Sequence, residues 1–317
     1  MREVFVFEDN GAASNFLGLN VTQLGPNTIG FSMKAYIRRI VDKLLPGDSK
    51  SSPENPCVSD FDKVLEEAED GREGFKGREE LVKEYRRVMG ALLYCSGAGR
   101  PDITLPVNKL CRVLTCPTNR ALAAAYHILR YLRGTHELGI VYQGGLPINV
   151  VAYGLTPLNI APKDVLTYSD SDWAVGPSTT AFLVMLCGAP VAWKSSKQTC
   201  TSGSSTEAEL IAANAAACES LYIKRLVSAL LCDVMVTVLL RCDNQGAVAF
   251  SLHPKTVSRM KHVQRDFIRL REFVDAKELY VKYIDTKANL ADALSKALQT
   301  SRFRALVSRF MSPITRP

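Results

Sequence analysis

Four acidic residues stand where side chains from separate elements can meet. Asp170 closes an apolar run of strand character (VLTYSD), and Glu209 falls in the first turn of a long Ala-rich helix (STEAEL). Asp243 closes a second strand-like run (VLLRCD), and Asp292 lies in the first turn of a late helix (NLADAL). In an α/β sheet, strand ends and helix starts share one edge, where such side chains converge. Carboxylates with no His or Cys interleaved suit hard cations, magnesium or manganese, rather than zinc. Two such ions would activate a water and stabilise the leaving oxygen in an in-line attack on a phosphodiester. They would also offset the repulsion that raises the pKa of crowded carboxylates. The chain holds 32 acids, however, so on spacing alone the simpler account is a set of solvated surface carboxylates. Asp172, two residues beyond Asp170 on the same strand face, is a rival for the first position. Glu207 lies on a different helical face from Glu209 and reads as a cap.

The elements that would carry these acids follow from periodicity. Strand-like runs at 165–169, 181–186 and 190–193 precede a helix that opens with a capping box, Ser204 and Glu207, and runs to about Leu230. A strand (236–242), two helices (244–252 and 258–274), a strand (279–284) and a helix (288–297) complete the block. This order predicts a mixed sheet with helices on its faces. Upstream, residues 1–45 read as a short β-meander followed by a helix through Ile37, Ile40, Val41 and Leu44. Residues 46–80 are acidic and rich in Pro, Ser and Gly, and read as a linker with one helix near Phe61–Ala68. Residues 81–146 predict three helices, at 82–95, 102–114 and 119–133, and a strand at 138–142.

Hydrophobic residues make up 47% of the 317 and charged residues 22%, values that favour a folded chain over a disordered one. Nine cysteines with no C-x-x-C pair, an acid-containing first segment and no uninterrupted apolar span imply an intracellular protein without a membrane partner. Residues 46–80 hold eleven acids and five bases, a net of −6, which leaves +13 of the overall +7 to the rest of the chain. Such an excess fits a polyanionic partner such as nucleic acid, and fits a solubilising surface equally well.

The segments YSDSDWA, SSTEAEL, CDNQGA and LADALSKAL, in that order, with VAWKSSKQ and RMKHVQRDFIR between them, resemble the ribonuclease H domain of copia-type retrotransposon polyproteins. Upstream, FLGLNV, YRRVMGALLY, GRPDITLPVNKL and AAAYHILRYLRGT resemble the part of those polyproteins that follows the polymerase site. The resemblance implies a ribonuclease H-like mixed five-stranded sheet flanked by helices over 161–300. It also implies a mainly helical reverse-transcriptase thumb or connection segment over 81–146, after a palm or thumb piece over 1–45, and a tail helix over 301–317. Asp170, Glu209, Asp243 and Asp292 match the acids that hold two Mg2+ ions (or Mn2+), with RNA in an RNA/DNA hybrid as substrate. The upstream polymerase part would be a partner, and the location cytoplasmic and particle-associated, or nuclear. No Tyr-x-Asp-Asp tetrapeptide occurs, so polymerase activity is not expected of this chain. Thr201-Ser202-Gly203 stands where relatives carry apolar residues and Ala181 where they carry Gly, which implies looser packing around Glu209 and raises the alternative of an inactive nucleic-acid-binding remnant.

Next to such a site the helix at 258–274 acquires a second meaning. Its polar face, Arg259, Lys261, His262, Arg265 and Arg269, reads as a rail for the hybrid's phosphates, or as an ordinary solvated face. Arg86, Arg87, Arg100, Lys109, Arg112, Arg130 and Arg133 offer a further grip on a duplex. Trp173 and Trp193 read as core or rim aromatics.

Overall fold

The structure, a computed structural model, describes residues 14–70, 78–144, 148–150, 158–160, 164–173, 177–231, 236–252 and 264–314. The first described residues form the expected meander: β1 (Asn15–Phe16), β2 (Leu19–Gly25) and β3 (Thr28–Ser32), paired antiparallel in sequence order. Helix α1 (Lys34–Leu44) follows and buries Ile37, Ile40, Val41 and Leu44, the stripe its three-and-four spacing dictates. After α2 (Phe61–Asp70) come α3 (Glu79–Ala98), α4 (Thr104–Cys111) entered through a 3-10 turn at Pro101–Ile103, and α5 (Asn119–Gly134). Thr118 caps α5 by accepting the Ala121 amide at 3.1 Å. Strand β4 (Leu138–Gln143) then returns alongside β3, and β5 (Ile148–Val150) pairs with β6 (Leu158–Ile160) as a separate hairpin.

The second sheet comprises β7 (Val165–Asp172), β8 (Thr179–Leu186), β9 (Ala189–Lys197), β10 (Val238–Cys242) and β11 (Tyr280–Tyr283), in the spatial order β11-β10-β7-β8-β9. β7, β10 and β11 run parallel, and β8 runs antiparallel to both of its neighbours, giving the expected mixed sheet. One face packs Val165, Val184, Val238 and Leu240 against α6 (Ser205–Leu230), α7 (Gln245–Leu252) and α8 (Gln264–Asp275). The opposite face turns Leu166, Tyr168, Leu183 and Met185 into the same core as Tyr85, Leu92, Leu110 and Leu129 of the upstream helices. Trp193 of β9 adds a bond across this join, its indole donating to the Ser96 carbonyl of α3 at 2.8 Å. The two halves of the chain therefore share one core.

Three expectations give way here. Residues 46–70 are not a free acidic linker: Phe61, Val64 and Ala68 of α2 are buried, and Asp48 accepts from Arg130 at 2.8 Å and lies 3.4 Å from Arg133. The charge density of the segment masked an ordinary apolar stripe. Residues 301–314 are not a tail. Helix α10 (Thr300–Val307) buries Phe303, Leu306 and Val307, and β12 (Ser312–Pro313) joins the first sheet beside β4. The helix expected at 288–297 is a 3-10 turn at Thr286–Ala288 followed by a single turn, α9 (Asp292–Ser295). Asn289 interrupts it by donating to the Ser169 carbonyl of β7 at 2.9 Å, which fixes the connection to the sheet instead.

Candidate metal centre

β7 and β10 are paired parallel as far as Ser169 and Cys242, so Asp170 and Asp243, the next residue on each, emerge side by side where that pairing stops. Asp170 does not end its strand: β7 continues to Asp172 because its antiparallel partner β8 extends to Thr179. Glu209 reaches the same point from the first turns of α6, across the sheet from α9. Its Oε1 accepts the Ser171 amide at 3.1 Å and the Ser171 hydroxyl at 3.0 Å. One ligand atom from each of Glu209, Cys242 and Asp243 lies within 4.8 Å of the others, and the Cys242 thiol donates to Glu209 Oε2 at 3.7 Å. Asp292 completes the group from the start of α9, linked to Asp170 through Lys296, whose Nζ lies 3.2 Å from Asp170 Oδ2 and 3.1 Å from Asp292 Oδ1. All four acids singled out by sequence thus converge at one edge.

Asp170, Glu209 and Asp292 are buried, and the first two pay for crowding in their protonation. Burial, and then the negative charge of Glu209, pushes the Asp170 carboxyl well above the usual carboxylate range. Burial and the neighbouring Asp243 push Glu209 up to about 7, against the two hydrogen bonds from Ser171. A cation would relieve both. Asp170 Oδ1 is buried and makes no hydrogen bond among the described residues, while its Oδ2 is taken by the Ser295 hydroxyl and by Lys296. An orphaned carboxylate oxygen beside two further acids fits a hard divalent ion bound through oxygen. Asp172 has different neighbours. Burial raises its carboxyl, while Lys109 of α4 and Lys296 pull it back, and the other three acids do not figure in its surroundings.

Sequence reasoning missed the cations of the site. Lys296 bridges Asp170 and Asp292, and Arg302 of α10 pairs with Asp292 Oδ2 while donating to the Thr286 carbonyl at 3.2 Å. The first was legible, since Lys296 stands four residues after Asp292 on a helical motif, the spacing of a side-chain ion pair. Arg302 carried no such signal. The Thr201–Gly203 segment, expected to loosen the surroundings of Glu209, is held by hydrogen bonds. Ser202 donates to Gln198 at 2.9 Å, Gln198 donates to the Ala208 carbonyl at 3.0 Å, and Glu207 accepts the Gly203 amide at 2.8 Å. Ser204 caps α6 by accepting the Glu207 amide at 3.2 Å, as the capping box predicts.

Of the expected phosphate rail, Arg259, Lys261 and His262 lie outside the described residues, as does the side chain of Arg265. Arg269 is exposed on α8, its guanidinium 5.7 Å from the Phe273 ring centroid. The upstream basic residues are mostly committed elsewhere, a correction to the expected duplex grip. Arg100 is wholly buried against Asp102 at 2.6 Å, Lys109 pairs with Asp62 at 3.0 Å, and Arg130 and Arg133 hold Asp48. Arg87 pairs with Glu84, and Arg86 donates to the Leu114 carbonyl at 3.2 Å. The acidic segment answers the basic helices within the molecule. Trp173 is 55% exposed beside the site, its indole donating to the Ser202 carbonyl at 3.3 Å.

The chain is 34% identical over 230 residues to the retrovirus-related Pol polyprotein from transposon RE1 of Arabidopsis thaliana, covering 71% of this chain and 15% of that protein. It is 29% identical over 304 residues to the corresponding polyprotein from transposon TNT 1-94 of Nicotiana tabacum, covering 94% of this chain and 21% of that one. The chain thus spans about a fifth or less of the length of these relatives. Among solved structures, LC11-RNase H1 isolated from compost aligns with 17% identity and a TM-score of 0.34, covering 42% of this chain and 92% of that one. No protein-family model matches the chain. The fold assignment rests on the strand order and the single antiparallel strand between β7 and β9, and that arrangement is ribonuclease H-like. On its sequence likeness, the chain belongs to the Pol polyprotein family of copia-type retrotransposons, and its second sheet has a ribonuclease H-like arrangement.

Proposed function

We propose that this chain hydrolyses the RNA strand of RNA/DNA hybrids in a reaction that depends on divalent cations, magnesium or manganese, as one part of an intracellular retrotransposon polyprotein. The observation that carries the reading is the convergence of Asp170, Glu209, Asp243 and Asp292, from four separate elements, where β7 and β10 stop pairing. Bound there, the cations would lower the pKa of an attacking water and offset the charge that develops on the phosphate. The chain's own contribution is placement. Asp170 and Asp243 are held by the sheet, so their separation is set by strand spacing rather than by flexible loops. Ser171 fixes Glu209 through both its amide and its hydroxyl, and Asn289 ties the turn before α9 to β7. Choice of hybrid over duplex DNA would come from contacts to ribose 2′-hydroxyls across a shallow minor groove. Affinity would come from Lys and Arg contacts to phosphate, with Arg269 of α8 and the basic residues before it as the local source.

The test is cleavage of a labelled RNA/DNA hybrid with magnesium, run on the wild type beside Asp243→Asn, with hybrid binding measured on both. The wild type should cleave. The variant, equal in size but lacking the ligating charge, should lose at least about a hundredfold in rate while binding the hybrid nearly as well. A variant as active as the wild type would remove Asp243 from the site. Binding by both with cleavage by neither would make the chain an inactive binding remnant.

A further inference from the structure

The carboxylate group divides into an open half and a filled half. On the open side stand Asp170 Oδ1, which has no hydrogen-bond partner among the described residues, Asp243, and Glu209 Oε2, which accepts from the Cys242 thiol at 3.7 Å. On the filled side, Lys296 occupies Asp170 Oδ2 and Asp292 Oδ1, and Arg302 occupies Asp292 Oδ2. Asp292 is about 1% exposed and both its oxygens are engaged by cationic side chains, so no metal ion reaches it while they stay. The charges agree with the geometry. Four carboxylates against Lys296 and Arg302 leave a deficit of two positive charges, the charge of one divalent ion. Two ions supply four, an excess of two while both resident cations stay and of one once Lys296 alone gives way.

We infer that Lys296 stands in the place of one of two divalent cations: the first ion enters the open half beside Asp170, Glu209 and Asp243, and the second binds only as the Lys296 ammonium withdraws. Lys296 is the cation that moves, for two reasons. It alone bridges both carboxylates, from the end of a flexible stem, and Arg302 is also held by the Thr286 carbonyl. With the metal absent, Lys296 keeps two buried carboxylates from facing each other unpaired, which would otherwise be costly to the fold. Its consequence for the proposed reaction, on which this inference rests, is a threshold: the site takes its first ion at low metal concentration and becomes competent only where a second can displace the lysine.

The experiment is titration of the full chain with Mn2+ alone, in the absence of nucleic acid, counting bound ions by electron paramagnetic resonance. The wild type should bind one ion tightly and a second weakly. Lys296→Gln, which keeps a donor and removes the charge, should bind the second ion about tenfold more tightly, the scale of one displaced ion pair. Lys296→Arg, which keeps the charge in a group that pairs with carboxylates through two bonds at once, should bind the second ion no better than the wild type, or less well. A lysine that merely supported the fold would weaken metal binding when lost. If Lys296→Gln binds the second ion no more tightly than the wild type, the inference is overturned and the metal site stands. If Lys296→Gln does not fold, Lys296→Arg decides, and tighter second-ion binding by it overturns the inference. Should neither the wild type nor a folded variant bind Mn2+, the reading of the site itself fails, and the inference with it.

Discussion

Asp170 and Asp172 lie on one strand face two residues apart, and sequence alone could not choose between them. Their neighbours differ in balance. Asp170 faces Glu209, Asp243 and Asp292 with Lys296 among them, while Asp172 faces Lys109, Lys296 and Arg112 with Asp62 among them. A further cation gains most where carboxylates outnumber the cations beside them. Asp170→Asn should therefore abolish Mn2+ binding at both positions, whereas Asp172→Asn should leave affinity for the first ion within about threefold of the wild type, since only a long-range interaction is lost. Calorimetric titration of the two variants checks this, and equal losses in both would return Asp172 to candidacy. The four acids were legible because the segments around them resemble those of copia-type ribonuclease H domains, whereas their placement alone left them indistinguishable from surface carboxylates. The side chains that set their charge state were only half legible. Lys296 could be read from its spacing to Asp292, but Arg302 belongs to an element whose docking against α9 nothing local announces.

At the scale of the element, the segment from 46 to 70 shows how composition misleads. Its acids suggested solvation, yet Phe61, Val64, Leu65 and Ala68 follow the three-and-four spacing of a buried helical stripe, and the acids themselves face basic partners on α4 and α5. Asp48 is the clearest case. Its hydrogen bond from Arg130 comes first among the causes that lower its carboxyl to about 2. The folded pKa is thus depressed below the ordinary value of 3.8. Such a group adds stability that is fully present above its unfolded pKa and is lost as pH falls through the folded one. The clasp between this segment and α5 should hold at neutral pH and loosen between about pH 4 and pH 2. Asp48→Asn should give a lower melting temperature at pH 7 and a flatter decline over that acid range. A decline identical to the wild type's would show that Asp48 does not report the clasp. Helices α3 and α5 raised no such difficulty, because each carries its apolar stripe over 16 residues or more, and both lie within about three residues of the expected bounds.

At the scale of the whole molecule, the ribonuclease H-like sheet does not stand apart from the helices that precede it. The expectation of separate segments, with a tail after residue 300, followed from reading motifs in order along the chain. What joins them is pairing between residues far apart in sequence, which local pattern does not encode. After α10 the chain crosses back to the first sheet, where Ser312 and Pro313 pair with Gly139 and Leu138, and the Ile314 amide donates to the Glu137 carbonyl at 2.8 Å. Along that path Phe303, Leu306, Val307, Phe310 and Met311 are buried in the core shared by both halves. At roughly 1.5–3 kcal/mol for each buried side chain, the five together contribute on the order of 10 kcal/mol, an upper estimate because unfolded chains already bury some apolar surface. That is comparable to the whole net stability of an ordinary domain, about 5–15 kcal/mol. A chain ending at residue 299 should therefore lose cooperative unfolding of both halves together, not of the ribonuclease H-like half alone. It also loses Arg302 from Asp292. Thermal melting followed by circular dichroism, with proteolysis to locate the exposed segments, distinguishes the outcomes. A truncated chain that melts in one transition at the full-length temperature would show that the C-terminal return is an accessory to the fold. Loss of protection in α3 and α5 together with the second sheet would show that α10 and β12 close a single cooperative unit around the metal centre.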